Sequence, residues 1–160
     1  MSHIRSGVKH VTHFRIEKRR CDNPDIVEIN EWTGNIALNE GLNLIADLFC
    51  GAGGTAFDSA HAYIGVGDSS TAAAATQTGL QASTNKAWAG MASGYPTSGT
   101  NQQAVYRAIF ESGVANFAWE EFTLGNSNDD SGENFMRATA SKGTKVAGEQ
   151  WTVTITVTFS

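Results

Sequence analysis

The last ten residues, "WTVTITVTFS", restrict the fold more than any other part of the chain. Trp151, Val153, Ile155, Val157 and Phe159 alternate with Thr152, Thr154, Thr156 and Thr158, and successive side chains on a strand point to opposite faces. A two-residue period held over nine positions does not suit a helix, whose apolar positions recur every three to four residues. The segment therefore predicts a strand with all five apolar residues in the core. Its threonine face keeps β propensity while meeting water or a partner. A strand of this kind needs neighbours and a cover, so the rest of the chain must supply a sheet and a second layer.

Further strands are legible. "AVYRAIF" (104–110) and "NFAWEEFTL" (116–124) are joined by the turn residues "ESGVA" and read as a hairpin or as two neighbouring strands. In the second, the apolar phase shifts between Trp119 and Phe122 across Glu120 and Glu121, which predicts a bulge. "VTHFRIEKRR" and "DIVEINEW" read as strands on either side of the turn "CDNPD". The segment "NEGLNLIADLFCG" predicts the one helix: Asn39 is placed to cap it and Gly51 to end it. Leu42, Ile45, Ala46 and Phe49 form one face, expected to lie against the sheet. Stretches 51–56, 66–79, 90–103 and 125–134 are rich in Gly, Ser, Ala, Asn and Asp and read as loops. The sum is a mainly β chain: an antiparallel β-sandwich, for which the jelly roll is one candidate form, with one short helix packed on the sheet. At 160 residues one core suffices. The expected division is a basic N-terminal arm or strand over 1–20 and a single β-sandwich domain over 21–160.

Charge is uneven. Residues 1–20 hold Arg5, Lys9, Arg15, Lys18, Arg19 and Arg20 against Glu17 alone, a net +5, whereas the other 140 residues hold five basic and fifteen acidic side chains, a net −10. Those six cations are the candidate partner-binding residues, an arm able to lie on an acidic neighbour such as another copy of the chain. A nucleic-acid partner is disfavoured, because the basic run is short, holds only Phe14 for stacking and is joined to an acidic body. The N-terminus "MSHIRSGVKH" lacks the apolar run of a signal peptide, and no stretch approaches the roughly 20 apolar residues of a membrane span. The expectation is a soluble protein in a reducing cytoplasm, with no membrane partner and with Cys21 and Cys50 as buried free thiols.

"AYIGVGDSST" (62–71) has the look of a phosphate-cradling loop, but a P-loop needs GxxxxGK[ST], and here Asp68 stands where a phosphate would sit. The alternative is a buried strand, Ala62–Val66, ending in a tight turn in which Gly67 and Asp68 relieve backbone strain. Glu120 and Glu121 suggest a glycosidase pair, yet strand neighbours point to opposite faces and cannot flank one bond. His3, His10 and His13 lack the spacing of a metal site, Asp129, Asp130 and Glu133 lack the EF-hand pattern, and His61 has no GxSxG serine to activate. No catalytic, cofactor-binding or metal-binding residue is assigned, and the chain is expected to be no enzyme.

In order, "NEGLNLIADLF", "AYIGVGDSSTAAAATQT", "GYP", "AVYRAIFESGVANFAWEEFTL" and "GTKVAGEQWTVTITVTFS" resemble a group of tailed-bacteriophage virion proteins. In that group a helix after Asn-Glu-Gly, an (I/L)GxG strand and a Trp-Thr-rich final strand recur in this order. The likeness covers roughly residues 35–160. It implies a structural protein of the particle: a capsid decoration or head-stabilising (cement) protein, with minor tail, baseplate or receptor-binding fibre modules as the alternative. The implied partners are the major capsid protein and further copies of the chain, as a homotrimer or else a dimer. The implied location is the capsid surface of the virion, after assembly in the host cytoplasm.

Overall fold

The computed structural model describes residues 8–23 and 25–160. In chain order the strands are β1 (His10–Arg20), β2 (Ile26–Thr33), β3 (Ile36–Ala37), β4 (Tyr63–Gly67), β5 (Lys86–Gly90), β6 (Thr97–Ser98), β7 (Gln103–Phe110), β8 (Glu121–Gly125), β9 (Asn134–Thr139) and β10 (Glu149–Phe159), with helix α1 (Asn39–Cys50) between β3 and β4. They build two five-stranded sheets, ordered β2-β1-β10-β7-β6 and β3-β9-β8-β4-β5. All pairs are antiparallel. The first sheet brings Phe14, Ile16, Tyr106, Val153 and Ile155 to one core, and the second brings Ile64, Val66, Phe122, Leu124 and Met136. The protein is a mainly β, antiparallel sandwich with one short helix.

The alternation in β10 has the expected result along most of its length. Trp151, Val153, Ile155 and Val157 are each no more than 2% exposed. Phe159 departs from it: at the strand's last residue it is 38% exposed and stands at the mouth of an apolar slot. On the other face Thr152 is buried as well, at 4%, because Glu17 and Ile109 flank it on the neighbouring strands.

His10–Arg20 pairs along its whole length with β10, from His10 opposite Phe159 to Arg20 opposite Glu149, and it holds β2 on its other side. Phe14 and Ile16 are fully buried, so this basic segment is an interior strand whose charges project from a core element. Trp32 of β2 stacks on Phe14 with ring centroids 4.8 Å apart.

Three expectations are corrected. The segments 104–110 and 116–124 form no hairpin: β7 joins the sheet of β10, while β8 lies in the opposite sheet beside β4 and β9. Trp119 makes the crossing, buried edge-on against Phe110 and Trp151 at 4.9 and 4.7 Å, with its Nε1 donating to the Ala115 carbonyl. No bulge falls at Glu120 and Glu121. β8 starts at Glu121, and its register irregularity lies at Leu124/Gly125.

The third correction concerns α1. Leu38, not Asn39, is the N-cap, and no side chain caps the helix; the Asn39 N–H donates to the Ala75 carbonyl instead. Gly51 ends the helix as expected, in the left-handed region at φ 70°. The buried residues are Gly41 and Leu44, while Leu42 is 46% and Phe49 91% exposed. The reason is Gly41. Its α-carbon faces the β9 backbone so closely that a Cβ would overlap the Phe135 α-carbon and the Asn134 carbonyl. Glu40 fixes the same contact, accepting from the Asn134 backbone N–H at 2.8 Å and from its side chain at 3.1 Å. This docking turns the helix so that Leu42, Ala46 and Phe49 of the predicted stripe face outward, while Ile45 packs against the core as expected.

Candidate functional site

The glycines of "IGVG" lie within strand β4, and neither has a positive φ. Their role is space, not turn formation, which corrects the tight-turn reading of Gly67. A Cβ on Gly65 would lie 2.7 Å from both Thr123 Cγ2 and Trp88 Nε1, and one on Gly67 would overlap the Glu121 carboxylate. Glu121 and Arg137 occupy this outer face of the second sheet, both fully buried. The Arg137 Nε donates to Glu121 Oε2 at 2.7 Å, and its Nη2 lies 2.7 Å from the same oxygen.

Residues 68–85 form a strap over this pair. The backbone N–H groups of Gln81 and Ala82 donate to the Glu121 carboxylate at 2.9 and 2.7 Å. Arg137 Nη1 donates to the Thr71 carbonyl at 2.8 Å and to Gln77 Oε1 at 3.0 Å. A carboxylate and a guanidinium that would each be costly alone in the interior thus satisfy one another and hold a strap of small residues that has little apolar surface of its own. The region contains no phosphate cradle: its glycines make room for an anion of the chain. Replacing Gly67 with Ala is expected to cost about 1–3 kcal/mol, the usual penalty of overpacking, because the three donors that grip Glu121, the N–H groups of Gln81 and Ala82 and the Arg137 Nε, leave it no room to retreat. Urea unfolding of G67A measures this.

The outer face of the first sheet carries an ordered chain of charges beside the exposed side chains of Val11, Ile29 and Ile109. Arg15 donates to Glu31 Oε1 at 2.8 Å and to Glu17 Oε1 at 3.3 Å, and Arg107 donates to Glu17 Oε2 at 3.0 Å. The small Thr154 lies between the two arginines and lets Glu17 bridge them. Glu31 first, and then Glu17, raise the Arg15 pKa by accepting its hydrogen bonds. Thr154, Thr156 and Thr158 run through the face in a half-exposed row. Of the other candidate arm residues, Lys18 lies 4.3 Å over the Trp151 ring and pairs with Glu28 at 3.2 Å. Lys9 is exposed beside the start of β1, Arg19 is partly buried and Arg20 exposed at its end. Arg5 and His3 lie outside the described residues.

The remaining candidates are dispersed. Glu120 accepts from Ser141 at 2.8 Å, on the opposite side of the strand from Glu121. His10 packs against the Phe135 ring at 5.5 Å, and among the described residues no group of three or more His, Cys, Asp or Glu is placed to hold a metal ion. Asp129 accepts from Ser127 and Ser131 within its own turn, bonds that lower its pKa, those from Ser131 most. Asp130 pairs with Lys86. His61 donates to Asp58 at 2.8 Å in an exposed turn. Cys21 and Cys50 are free and both exposed, which corrects the expectation of buried thiols. Among the described residues no helix is long and apolar enough to cross a membrane.

One cavity is almost wholly apolar. At the end of the sandwich where β1 begins and β10 ends, Ile45 of α1, Phe57, Tyr106, Phe135, Val157 and Phe159 line a slot of about 190 Å³ between the two sheets. Burial raises the Tyr106 pKa. Nothing in the sequence announces this slot, because its walls come from six separate segments, with Leu124 of β8 completing them. Comparison with protein-family models, with curated proteins and with solved structures finds no match.

Proposed function

We propose that the chain is a non-enzymatic structural protein of a tailed-bacteriophage particle, which decorates and stabilises the capsid by binding the major capsid protein and further copies of itself. The observation that supports this reading is the work done by the motifs behind the resemblance. Asn-Glu-Gly docks α1 against β9, the two glycines of β4 house Trp88, Thr123 and Glu121, and the Trp-Thr strand is the middle of its sheet. Motifs whose residues hold a scaffold together point to shared architecture, and a rigid sandwich with an ordered chain of charges on one face suits attachment to a shell. The Glu31–Arg15–Glu17–Arg107 chain is the attachment face in this reading, since arrays of alternating charge fix register and reject wrong partners.

The test is location and copy number. Particles purified from the strain that carries the gene are labelled with antibody-coated gold and their proteins quantified by mass spectrometry. Label over the head, at a copy number comparable to that of the major capsid protein, is the expected result. Label confined to the tail at a small fraction of that number would assign a fibre or baseplate role and overturn the decoration reading, as would absence from the particle.

A further inference from the structure

Helix α1 carries two apolar faces, and the fold uses one. Gly41 and Leu44 are buried against the domain. Leu42, Ala46 and Phe49 follow one another at helical spacing on the flank of the helix and face outward, with Phe49 91% exposed. Ile45 lies between the two faces and lines the slot, so the outward stripe begins at the slot's rim and Phe49 stands one turn beyond it. Phe159, 38% exposed, lines the slot as well, and Val8, 87% exposed, precedes the strand that pairs with Phe159. Val8 continues the inward phase of β1 just past the mutual backbone bonds of Lys9 and Ser160.

We infer that this end of the sandwich binds a second copy of the chain, with Phe49 of each copy seated in the slot of the other. A cavity of about 150 Å³ lined by aliphatic and aromatic side chains takes up a benzene ring, and the slot, at about 190 Å³, has room for the phenyl group of Phe49. The area is also sufficient. Taking ~150–250 Å² for each large apolar side chain and the exposed fractions of Val8, Leu42, Phe49 and Phe159, the patch offers roughly 500 Å² of apolar surface per copy. A standard interface buries about 800 Å² per partner, a little over half of it non-polar. Charge agrees with the same pairing: α1 carries Glu40 and Asp47 and no Lys or Arg, its last turn is without a basic residue, and Lys9 is exposed where the backbone of β1 meets Ser160 at the end of β10. A cation from the partner suits the negative end of the helix. Knob and slot share one rim, so each copy offers the same patch to the other and the contact suits a self-complementary two-fold pair.

The inference is independent of the virion reading, because the isolated protein tests it. Sedimentation equilibrium of the full chain is expected to show a dimer, and Phe49→Asp to weaken association at least about 30-fold, the effect of losing a central aromatic anchor. Phe49 is exposed in the single chain, so F49D should keep its far-UV circular dichroism spectrum and a cooperative melt, while Phe49→Trp should still pair. Three results would each overturn the inference: a wild-type monomer throughout the accessible concentrations, association that F49D leaves intact, or a monomer whose slot takes up benzene or a naphthalene sulfonate dye, which would assign the slot to small apolar ligands.

Discussion

Replacing Arg137 with Met is expected to cost about 3–5 kcal/mol, the penalty for leaving one member of a buried ion pair without its partner. Arg137 and Glu121 are both fully buried, and the substitution removes the guanidinium that neutralises the carboxylate as well as two bonds that hold the strap at Thr71 and Gln77. In a domain of this size the change corresponds to a fall in Tm of roughly 6–20 °C. Charge, not volume, decides the effect, so pairing Arg137→Met with Glu121→Gln should recover part of the loss: the amide keeps an acceptor for the N–H groups of Gln81 and Ala82 while removing the stranded charge. Chemical denaturation of the two single variants and the double variant gives the coupling directly. A loss below about 1 kcal/mol for R137M would mean that water reaches the site and the strap is not held from beneath.

The second large effect is expected at the middle of β10. Ile155 is fully buried, flanked by Phe14 and Tyr106 on the adjacent strands, and an aspartate there places an unpaired charge in the core. The expected cost exceeds about 4 kcal/mol, a large share of the 5–15 kcal/mol that holds a typical domain together. Ile155→Asp is therefore expected to lack a cooperative melt at 37 °C, whereas Ile155→Val, which removes one methyl group, should cost only about 0.5–1.5 kcal/mol. A cooperative I155D variant with the wild-type Tm would contradict the assignment of this face to the core.

These two sites differ in how far the sequence announced them. Ile155 was legible, because one face of β10 is buried and the other is covered mainly by short polar side chains, so the two-residue period survives in the residue types. β1 was legible for the same reason through Phe14 and Ile16. β8 and β9 were harder: all five residues of β8 and the first five of β9 are buried, and when a sheet is covered on both faces the alternation disappears. Nothing in the sequence marks Glu121 and Arg137 as a buried pair, because the strap residues that bond them lie 39 or more positions away, in a segment with no pattern of its own. A signal was present in Gly65 and Gly67. Two glycines spaced by two within a strand leave a hollow on one face, and hollows in a sheet mark a bulky or charged neighbour. For α1, periodicity found the helix but not its rotation. One glycine, Gly41, set which face met the sheet, because backbone approach outweighed the larger apolar area of the other stripe.

The pairing of β1 with β10 also bears on how the chain is made. Among the described strands, the central one of the first sheet is the last to be synthesised, and the strand it joins is the first. Nearly 130 residues separate the end of β1 from the start of β10, so at a synthesis rate of about 5–20 residues per second β1 waits roughly 6–26 s for its main partner. During that interval one edge of β1 has no partner, and an unpaired strand edge of this kind is a template for aggregation. Arg15, Glu17, Lys18, Arg19 and Arg20 interrupt or follow the apolar positions closely enough to act as gatekeepers in the nascent chain. The unusual density of charge at this end thus protects the polypeptide before the fold exists, apart from anything those side chains bind afterwards.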